Sequence, residues 1–344
     1  NRAAGSVPAR PPDKGAGFSM TIKDIARESG YAVGTVSRVI NNSPNVSEAA
    51  RARVLEVVEK YNFQPNSNAK HLKQQSSQGI SMIVKGTHNL LFAPILERAQ
   101  AVCEDAGYSS SVCYIDEDEN EVDRARQSCR EHKPFGIIFF GSDTNNFTQS
   151  LTDLGVPCLL MTNMAAGSPI ENLSSVSVDD TGSAASVIEY LYRRGHRRIG
   201  LIGGDPKCSH PSGARLAGCL SSFTRLGLPF DPAAQYACTR FTLEGGYHGM
   251  ESLLEHCPGL TAVFAYSDIM AIGAIRALQD HGLRVPQDVS VCGFDGIELG
   301  DYLFPRLTTI RQPVDRLAMR GVSILIHCIE ESSDAIHEIV PYQF

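Results

Sequence analysis

Short apolar runs alternate with helix-length stretches through most of the chain. The runs have the length of buried strands and read GISMIV, GIIFF, PCLLM, RIGLIGG, AVFAY and DVSVCGF, beginning at residues 79, 136, 157, 198, 262 and 288. Stretches with helical spacing separate them, for example at 94–106, 182–194 and 269–281. This alternation is typical of parallel sheets covered by helices. The strands are too many for one compact sheet, so we expect two doubly wound subdomains with a ligand crevice at the carboxyl ends of their strands.

The composition limits the class of protein. Of 344 residues, 42% are hydrophobic and 20% are charged, which is ordinary for a globular chain with a sizeable core. No window approaches the roughly 20 apolar residues that cross a bilayer, and residues 1–20 lack the apolar core of a secretory signal. We therefore expect a cytoplasmic protein without a membrane partner, with residues 1–19 as a disordered extension. The 10 cysteines form no C-x-x-C pair, so reduced thiols are expected.

Charge is unevenly distributed along the chain. The net charge is -7, but residues 21–75 carry eight Lys/Arg against five Asp/Glu, and residues 1–20 carry three against one. A basic N-terminal piece on an acidic body favours a nucleic-acid contact confined to the N-terminus.

Residues 20–64 predict three short helices. Apolar residues recur at helical spacing in each of them, and Gly30 can supply the positive φ of a tight turn between the first two. The inner faces are Ile22, Ile25 and Ala26; Val36, Val39 and Ile40; and Val54, Val57, Val58 and Tyr61 of a third helix that Ser47 caps. Two short helices that cross at a turn and are closed by a third describe a helix-turn-helix, although any small helical bundle gives the same pattern.

The second of these helices has a polar face that suits DNA. Its polar residues away from the apolar stripe are Thr35, Ser37, Arg38 and Asn41. Arginine can pair with guanine, and asparagine with adenine, in the major groove. Because a recognition helix inserts its N-terminal residues, Val33 and Gly34 are expected to face the bases as well.

At these residues the chain resembles the DNA-binding domain of the lactose/galactose repressor family. The likeness rests on TIKDIARESG and TVSRVIN, followed by VS, R.RV and Y.F.PN. Later stretches, among them SVSVDDTGSA, GARLAGCLSSF, VSVCGFDG and PRLTTIRQP, are similar to the same family and to periplasmic sugar-binding proteins. The resemblance covers nearly everything after Met20. It implies an N-terminal all-α helix-turn-helix domain and an α/β body like a periplasmic binding protein.

One departure from the family lies at the start of the second helix. Tyr31 and Ala32 stand where the family usually has Val-Ser. Alanine removes a side-chain cap that is worth about 1 kcal/mol in typical helices.

Residues 65–77 are polar and read, on their own, as an interdomain linker. The resemblance implies instead a hinge helix that folds on DNA and wedges a leucine into the minor groove, and Leu72 matches that leucine. The residues implied to contact DNA are Thr21, Val33, Gly34, Thr35, Ser37, Arg38, Asn41, Asn66, Ala69, Leu72 and Lys73.

The body, residues 78–344, is implied to bind an effector and to dimerise. The resemblance gives it two lobes joined by crossings near residues 177, 293 and 338. It assigns effector contacts to Phe92, Asp179, Arg215, Phe241, Ser267 and Asp295. A guanidinium offers a planar fork to paired hydroxyls, and apolar walls with a few polar groups suit a small ligand. Ser267 stands where sugar-responsive members often have Asn, and Ser209 where a purine-responsive member has Arg.

Catalysis is not indicated by any motif. The stretch GLIGGD, residues 200–205, lacks both G-x-G-x-x-G and a P-loop lysine, and no G-x-S-x-G elbow occurs. His196, His210 and His248 do not have the spacing of metal ligands. We therefore expect no enzyme, no cofactor and no metal.

The sequence thus predicts a dimeric repressor that binds a near-palindromic double-stranded operator and responds to a small effector. A neutral mono- or disaccharide is favoured, because acidic side chains and arginine suit vicinal hydroxyls and aromatic rings suit C–H faces. Two alternatives stay open. One is a solute-binding protein of the periplasmic type, which the helix-turn-helix and the missing signal peptide oppose. The other is a corepressor-dependent regulator that responds to a nucleobase or nucleoside.

Overall fold

The structure, a computed structural model, describes residues 21–40, 46–61, 79–86, 89–142 and 146–344. The chain divides into two compact units, residues 1–75 and 76–344. The boundary falls inside the segment predicted as a linker or hinge. That segment, 65–77, and the expected extension, 1–19, lie outside the described residues.

The first unit contains the three predicted helices, α1 (Ile22–Ser29), α2 (Val33–Ile40) and α3 (Glu48–Lys60). Thr21 caps α1 reciprocally: its backbone N–H donates to the Asp24 carboxylate at 3.0 Å, and its Oγ1 accepts from the Asp24 N–H at 3.4 Å. Gly30 ends α1 with φ 77°, as the turn requires. The residues buried at the centre are Ile25, Val36, Val39, Val54 and Val57.

The second unit alternates strands with helices. Its strands are β1 (Ile80–Lys85), β2 (Ser110–Ile115), β3 (Gly136–Phe140), β4 (Cys158–Met161), β5 (Leu173–Ser177), β6 (Ile199–Gly203), β7 (Tyr236–Cys238), β8 (Ala262–Ala265), β9 (Ser290–Asp295), β10 (Thr308–Arg311) and β11 (His337–Ile339). Its α-helices are α4 (Phe92–Asp105), α5 (Glu121–His132), α6 (Asp180–Arg193), α7 (His210–Leu226), α8 (Pro232–Gln235), α9 (Leu243–His256), α10 (Asp268–Asp280), α11 (Glu298–Asp301) and α12 (Val314–Glu331), and Gln149–Leu154 forms a 3₁₀ helix.

The strands form two parallel sheets, one in each lobe of this unit. The first lobe has the order β11-β5-β4-β3-β1-β2, and the second has the order β10-β9-β8-β6-β7. Strands such as β3, β4 and β6 are buried along their whole length, which explains their continuous apolar sequences. Helices α4 and α12 pack together in the first lobe, and α9 and α10 pack together in the second. The expected pair of doubly wound subdomains is present.

Among the residues that the structure describes, the chain passes between the lobes in three places. The first passage follows β5 at residues 178–179, close to the predicted position of 177. The second lies at residues 312–313, between β10 and α12, and the prediction of 293 is wrong. Gly293 lies inside β9, where it pairs with Thr309 of β10. The third follows β11, where Gln343 bridges back to Arg311, a few residues after the predicted 338.

The helices are amphipathic rather than continuously apolar. Within the described ranges, none is both long and apolar enough to cross a membrane. Even α12, which has 18 residues, carries Asp315, Arg316 and Arg320.

Candidate effector cavity and DNA-binding face

Helix α2 exposes the face that the sequence assigns to DNA. Val33 is 42% exposed, Gly34 and Arg38 are also exposed, and Thr35 and Ser37 are half-buried. Thr21 is exposed at the start of α1, where its hydroxyl donates to the Asp24 carboxylate. Asn41, Asn66, Ala69, Leu72 and Lys73 lie outside the described residues.

The start of α2 reflects the departure from the family at residues 31–32. The Ala32 carbonyl accepts from the N–H groups of Thr35 and Val36 at 2.8 and 3.1 Å. The side chain of Ala32 is a methyl group and cannot accept a hydrogen bond, whereas the oxygen of a serine at this position could. Tyr31 packs half-buried against the three-helix core. Compared with a family member that has serine at this position, the chain therefore has one polar group fewer at the start of α2, where a phosphate could bind.

A cavity of about 590 Å³ lies between the lobes, where the carboxyl ends of their strands meet. The first lobe contributes residues that follow β1, β3 and β4, and the second contributes residues that follow β6 and β7. Asp295, at the end of β9, and Gln312, in the second passage between lobes, complete the wall. This is the crevice expected of two α/β sheets, and its volume suits a small molecule.

Arg215 is the buried cation of this cavity. It projects from α7 and is 4% exposed. Its Nε donates to Oδ1 of Asp180 at 2.8 Å, and its Nη1 donates to the carbonyl oxygen of Tyr266. Its guanidinium carbon lies 3.5 Å from the centre of the Phe294 ring. A helix start, a strand end and an aromatic face therefore fix the guanidinium group.

Asp295 is the buried acid of the cavity. It is 3% exposed and has φ 113°, a left-handed conformation that costs energy for any residue but glycine. Gln312 donates to it twice, from Nε2 to Oδ1 at 2.9 Å and from its backbone N–H to the carbonyl at 3.0 Å. Burial raises the pKa of Asp295 to about 8, although Arg215 opposes the shift. At neutral pH the carboxyl group is therefore mostly protonated and can donate as well as accept.

One phenylalanine of each lobe lines the cavity, and each is seated against a glycine. Phe92 begins α4 in the first lobe, and Phe241 precedes α9 in the second. A Cβ atom on Gly141 would lie 2.9 Å from Cε2 of Phe92, and one on Gly204 would lie 2.7 Å from Cε2 of Phe241. Neither contact has room for a larger residue, so the two glycines help to set the ring positions.

Two residues of the predicted effector set do not line the cavity. Asp179 is exposed and caps α6, where its Oδ1 accepts from the Gly182 N–H at 2.8 Å. The next residue, Asp180, is the acid that reaches Arg215. Ser267 is 1% exposed and caps α10, its Oγ accepting from the Met270 N–H at 3.3 Å. Both side chains are occupied at helix starts, outside the cavity wall.

Several wall residues were missed by the sequence analysis. Lys85 ends β1, and its Nζ lies 2.9 Å from Oε2 of the fully buried Glu121. In the part of the chain that the structure describes, Ser142 Oγ and Gln312 Oε1 are buried without a hydrogen-bond partner. Lys85 and Ser142 each stand at or just after the end of an apolar strand run, and that position was the available signal. Nothing in the sequence marked the Lys85–Glu121 pairing.

Comparison with known proteins identifies the family. The description "Bacterial regulatory proteins, lacI family" matches residues 21–66, and "Periplasmic binding protein-like domain" matches residues 188–343. The HTH-type transcriptional regulator MalR of Clostridium butyricum is 34% identical over 328 residues, 93% of this chain and 96% of that protein. The chain belongs to the lacI family. The ribose operon repressor of Escherichia coli K12 is 32% identical over 316 residues, 90% of this chain and 93% of that protein.

Two solved structures of transcription regulators are similar to most of this chain. The lac repressor dimer bound to operator and the anti-inducer ONPF has a TM-score of 0.75 at 25% identity, over 94% of this chain and 97% of that one. A CelR–cellobiose complex has a TM-score of 0.71 at 25% identity, over 94% and 98%.

Family membership confirms the predicted class of protein. The chain is a DNA-binding transcription regulator and not an enzyme. The alternative of a transporter's solute-binding protein is set aside, because the lacI-family match lies on the helix-turn-helix itself.

Proposed function

We propose that this regulator is a cytoplasmic repressor that binds a near-palindromic operator as a homodimer, and that a neutral mono- or disaccharide in the 590 Å³ cavity changes its operator affinity. One observation carries the proposal. The cavity combines a fixed guanidinium group, a buried carboxyl group and one aromatic ring from each lobe.

These groups match the chemistry of a sugar. Vicinal hydroxyls accept from the Arg215 fork, and they can exchange hydrogen bonds in either direction with the protonated Asp295. The buried oxygen atoms of Ser142 and Gln312 are suited to further hydroxyl groups of the ligand. The rings of Phe92 and Phe241 can pack against the apolar faces of a pyranose.

The charges of the wall favour an uncharged effector. The buried Arg215 and the half-buried Lys85 already have carboxylate partners: Arg215 has Asp180 and Lys85 has Glu121. The wall also contains Glu117 and Asp205. A carboxylate or phosphate on the effector would compete for the paired cations and repel these acids, whereas neutral hydroxyls would do neither.

Gln312 provides a route from the effector to the arrangement of the lobes. It lies in the second passage between them and donates twice to Asp295. An effector that binds Asp295 therefore acts on a residue of the connection itself. The resulting change in operator affinity can be no larger than the effector's differential affinity for the two arrangements.

The relatives support the operator and the dimer. The lac repressor structure is named as a dimer bound to operator, and a twofold protein calls for a twofold site. On this chain, the exposed Tyr302 and Phe304, 76% and 98% exposed, offer an apolar surface for a second copy. We assign base contacts to Arg38 and its neighbours on α2. Minor-groove contacts are assigned to Ala69 and Leu72.

Calorimetric titration of the full chain tests the effector. The panel contains neutral sugars, sugar acids, sugar phosphates, nucleobases and nucleosides. We expect a neutral sugar to bind the wild type and to lose most of its affinity in Phe241→Ala, because the cavity loses one ring. Tyr114→Ala, which removes an aromatic residue that is 56% exposed on β2, should leave the affinity unchanged. If only a nucleobase or nucleoside binds, the sugar assignment is wrong and the corepressor alternative replaces it.

Selection from a random DNA pool tests the operator. We expect the wild type to enrich an inverted repeat, and Arg38→Ala to lose about 1–3 kcal/mol on that site with relaxed base preference. Arg53→Ala is the matched control, since Arg53 is an exposed arginine of α3 that pairs with Glu56. Enrichment of no inverted repeat by the wild type, or equal losses in both variants, would contradict the assignment.

A further inference from the structure

An ion pair joins the two lobes at the effector cavity. Nη2 of Arg240, between β7 and α9 of the second lobe, lies 3.2 Å from Oδ2 of Asp118, between β2 and α5 of the first. Both residues line the cavity. Their side chains are 65% and 80% exposed, so the contact lies on the solvent side, at the cavity mouth.

The first-lobe partner is presented by a turn with its own hydrogen bonds. Asp118 belongs to a run of four acids, residues 116–119, that follows β2. Glu119 Oε1 accepts from the Asp116 N–H, and Asp116 Oδ1 accepts from the Asp118 N–H, both at 3.2 Å. These bonds are local to the first lobe. The position of the Asp118 backbone therefore does not depend on Arg240.

We propose that Asp118 and Arg240 form a latch that holds the two lobes together over the cavity and sets how often the cavity opens. An exposed pair suits this task because it contributes only a few-fold to an equilibrium, and a ligand can still enter and leave. Its attraction is screened by salt, which buried pairs largely escape. The proposal depends on the cavity and not on the identity of the effector or on DNA binding.

Single-molecule energy transfer on the full-length protein tests the latch without any ligand. Dyes attached to unnatural amino acids at Tyr114 and Leu243, which are exposed on the first and second lobes, report the distance between the lobes. We expect Asp118→Asn and Arg240→Gln each to raise the ratio of open to closed molecules about two- to five-fold. The charge swap, Asp118→Arg with Arg240→Asp, should return the ratio toward the wild-type value. Added salt at about 0.5 M should raise the ratio in the wild type and little in the single variants.

Glu119→Gln is the matched control, because it removes the same charge from the same acidic run while its amide oxygen can still accept the turn bond from the Asp116 N–H. We expect it to leave the ratio unchanged. The latch is rejected if this control acts as strongly as Asp118→Asn, or if the swap fails to restore closure. A single unchanging distance in all variants and at high salt would also reject it. None of these outcomes bears on sugar or operator binding, which the titration and the selection test separately.

Discussion

Two of the ion pairs at the effector cavity have similar distances but differ strongly in their exposure to solvent. The first pair, which we call the floor, is Arg215 and Asp180. Nε of Arg215 lies 2.8 Å from Oδ1 of Asp180, and the two side chains are 5% and 4% exposed. At the mouth, Arg240 and Asp118 lie 3.2 Å apart with side chains 65% and 80% exposed. The first pair joins two helices within the second lobe. The second pair joins the two lobes.

The difference in burial separates a fixed part of the site from an adjustable one. Removing one partner of a buried pair leaves the other charge unpaired in a poor solvent, which costs about 3–5 kcal/mol. Removing one partner of an exposed pair costs about 0–1 kcal/mol, because water takes its place. The floor can therefore define the shape that selects an effector. The ion pair at the mouth can break and re-form at a free-energy cost close to the thermal energy.

The largest loss of stability expected from a substitution comes from breaking the floor. Arg215→Ala should lower the free energy of unfolding by about 3–5 kcal/mol at pH 7.5 and abolish effector binding. Burial already raises the pKa of Asp180 even with Arg215 beside it. Without Arg215 that acid can take up a proton more readily, so the loss of stability should be smaller at pH 5. Urea unfolding followed by circular dichroism at both pH values measures this.

Arg225→Ala is the control for the floor variant. Arg225 lies on the same helix, α7, and pairs with Glu189, but these side chains are 55% and 35% exposed. We expect a loss below about 1 kcal/mol. Similar losses in the two variants would show that burial does not separate the two kinds of pair.

The next effect concerns the acid beside the floor and its dependence on pH. Burial raises the pKa of Asp295 to about 8 in the folded protein, against about 3.9 for a free aspartate. Between pH 4 and pH 8 the folded state therefore holds a proton that the unfolded state has released. Stability should fall as the pH rises through this window, by up to about 1.4 kcal/mol per pH unit from this group. Asp268, whose pKa burial raises to about 6, adds in the same direction at the lower end.

Asp295→Asn isolates this contribution. The amide oxygen can still accept from Gln312 Nε2, but the group no longer titrates. The stability of the variant relative to the wild type should rise between pH 5 and pH 8 and level off above pH 8. Parallel stability curves for the two proteins would mean that Asp295 is ionised in the folded state.

The sequence located one part of the cavity and misread another for reasons that can be named. Asp295 ends an apolar strand run, the family resemblance assigned Arg215, Phe92 and Phe241 to the effector site, and all four residues line the cavity. Asp179 does not, because two acids stand side by side where a helix begins. The first acid caps the helix and faces solvent, and the second starts it and faces inward. Asp179 stands three residues before Gly182, the spacing of an N-cap bond, which was the signal for this assignment.

The prediction of a passage between the lobes at residue 293 was wrong because it went against a local sequence pattern. The run DVSVCGF already indicated a strand there, so a passage within it conflicted with the pattern. The following strand, β10, buries only Ile310 and so gives little apolar signal. Pairings such as Lys85 with Glu121 could not be predicted, because they depend on which elements pack together rather than on local sequence.

The smallest expected effect is at the mouth, and it decides whether the comparison holds. Asp118→Asn and Arg240→Gln should each change the free energy of unfolding by less than about 1 kcal/mol, because both side chains remain in water. A double-mutant cycle should give a coupling of about 0.2–1 kcal/mol at low salt that shrinks as salt is added, since the pair is screened. Glu119→Gln, combined with Arg240→Gln, should give no coupling. A coupling that stays constant with salt, or that approaches the cost of Arg215→Ala, would mean that the mouth pair is desolvated and acts as a second fixed wall rather than as an adjustable contact.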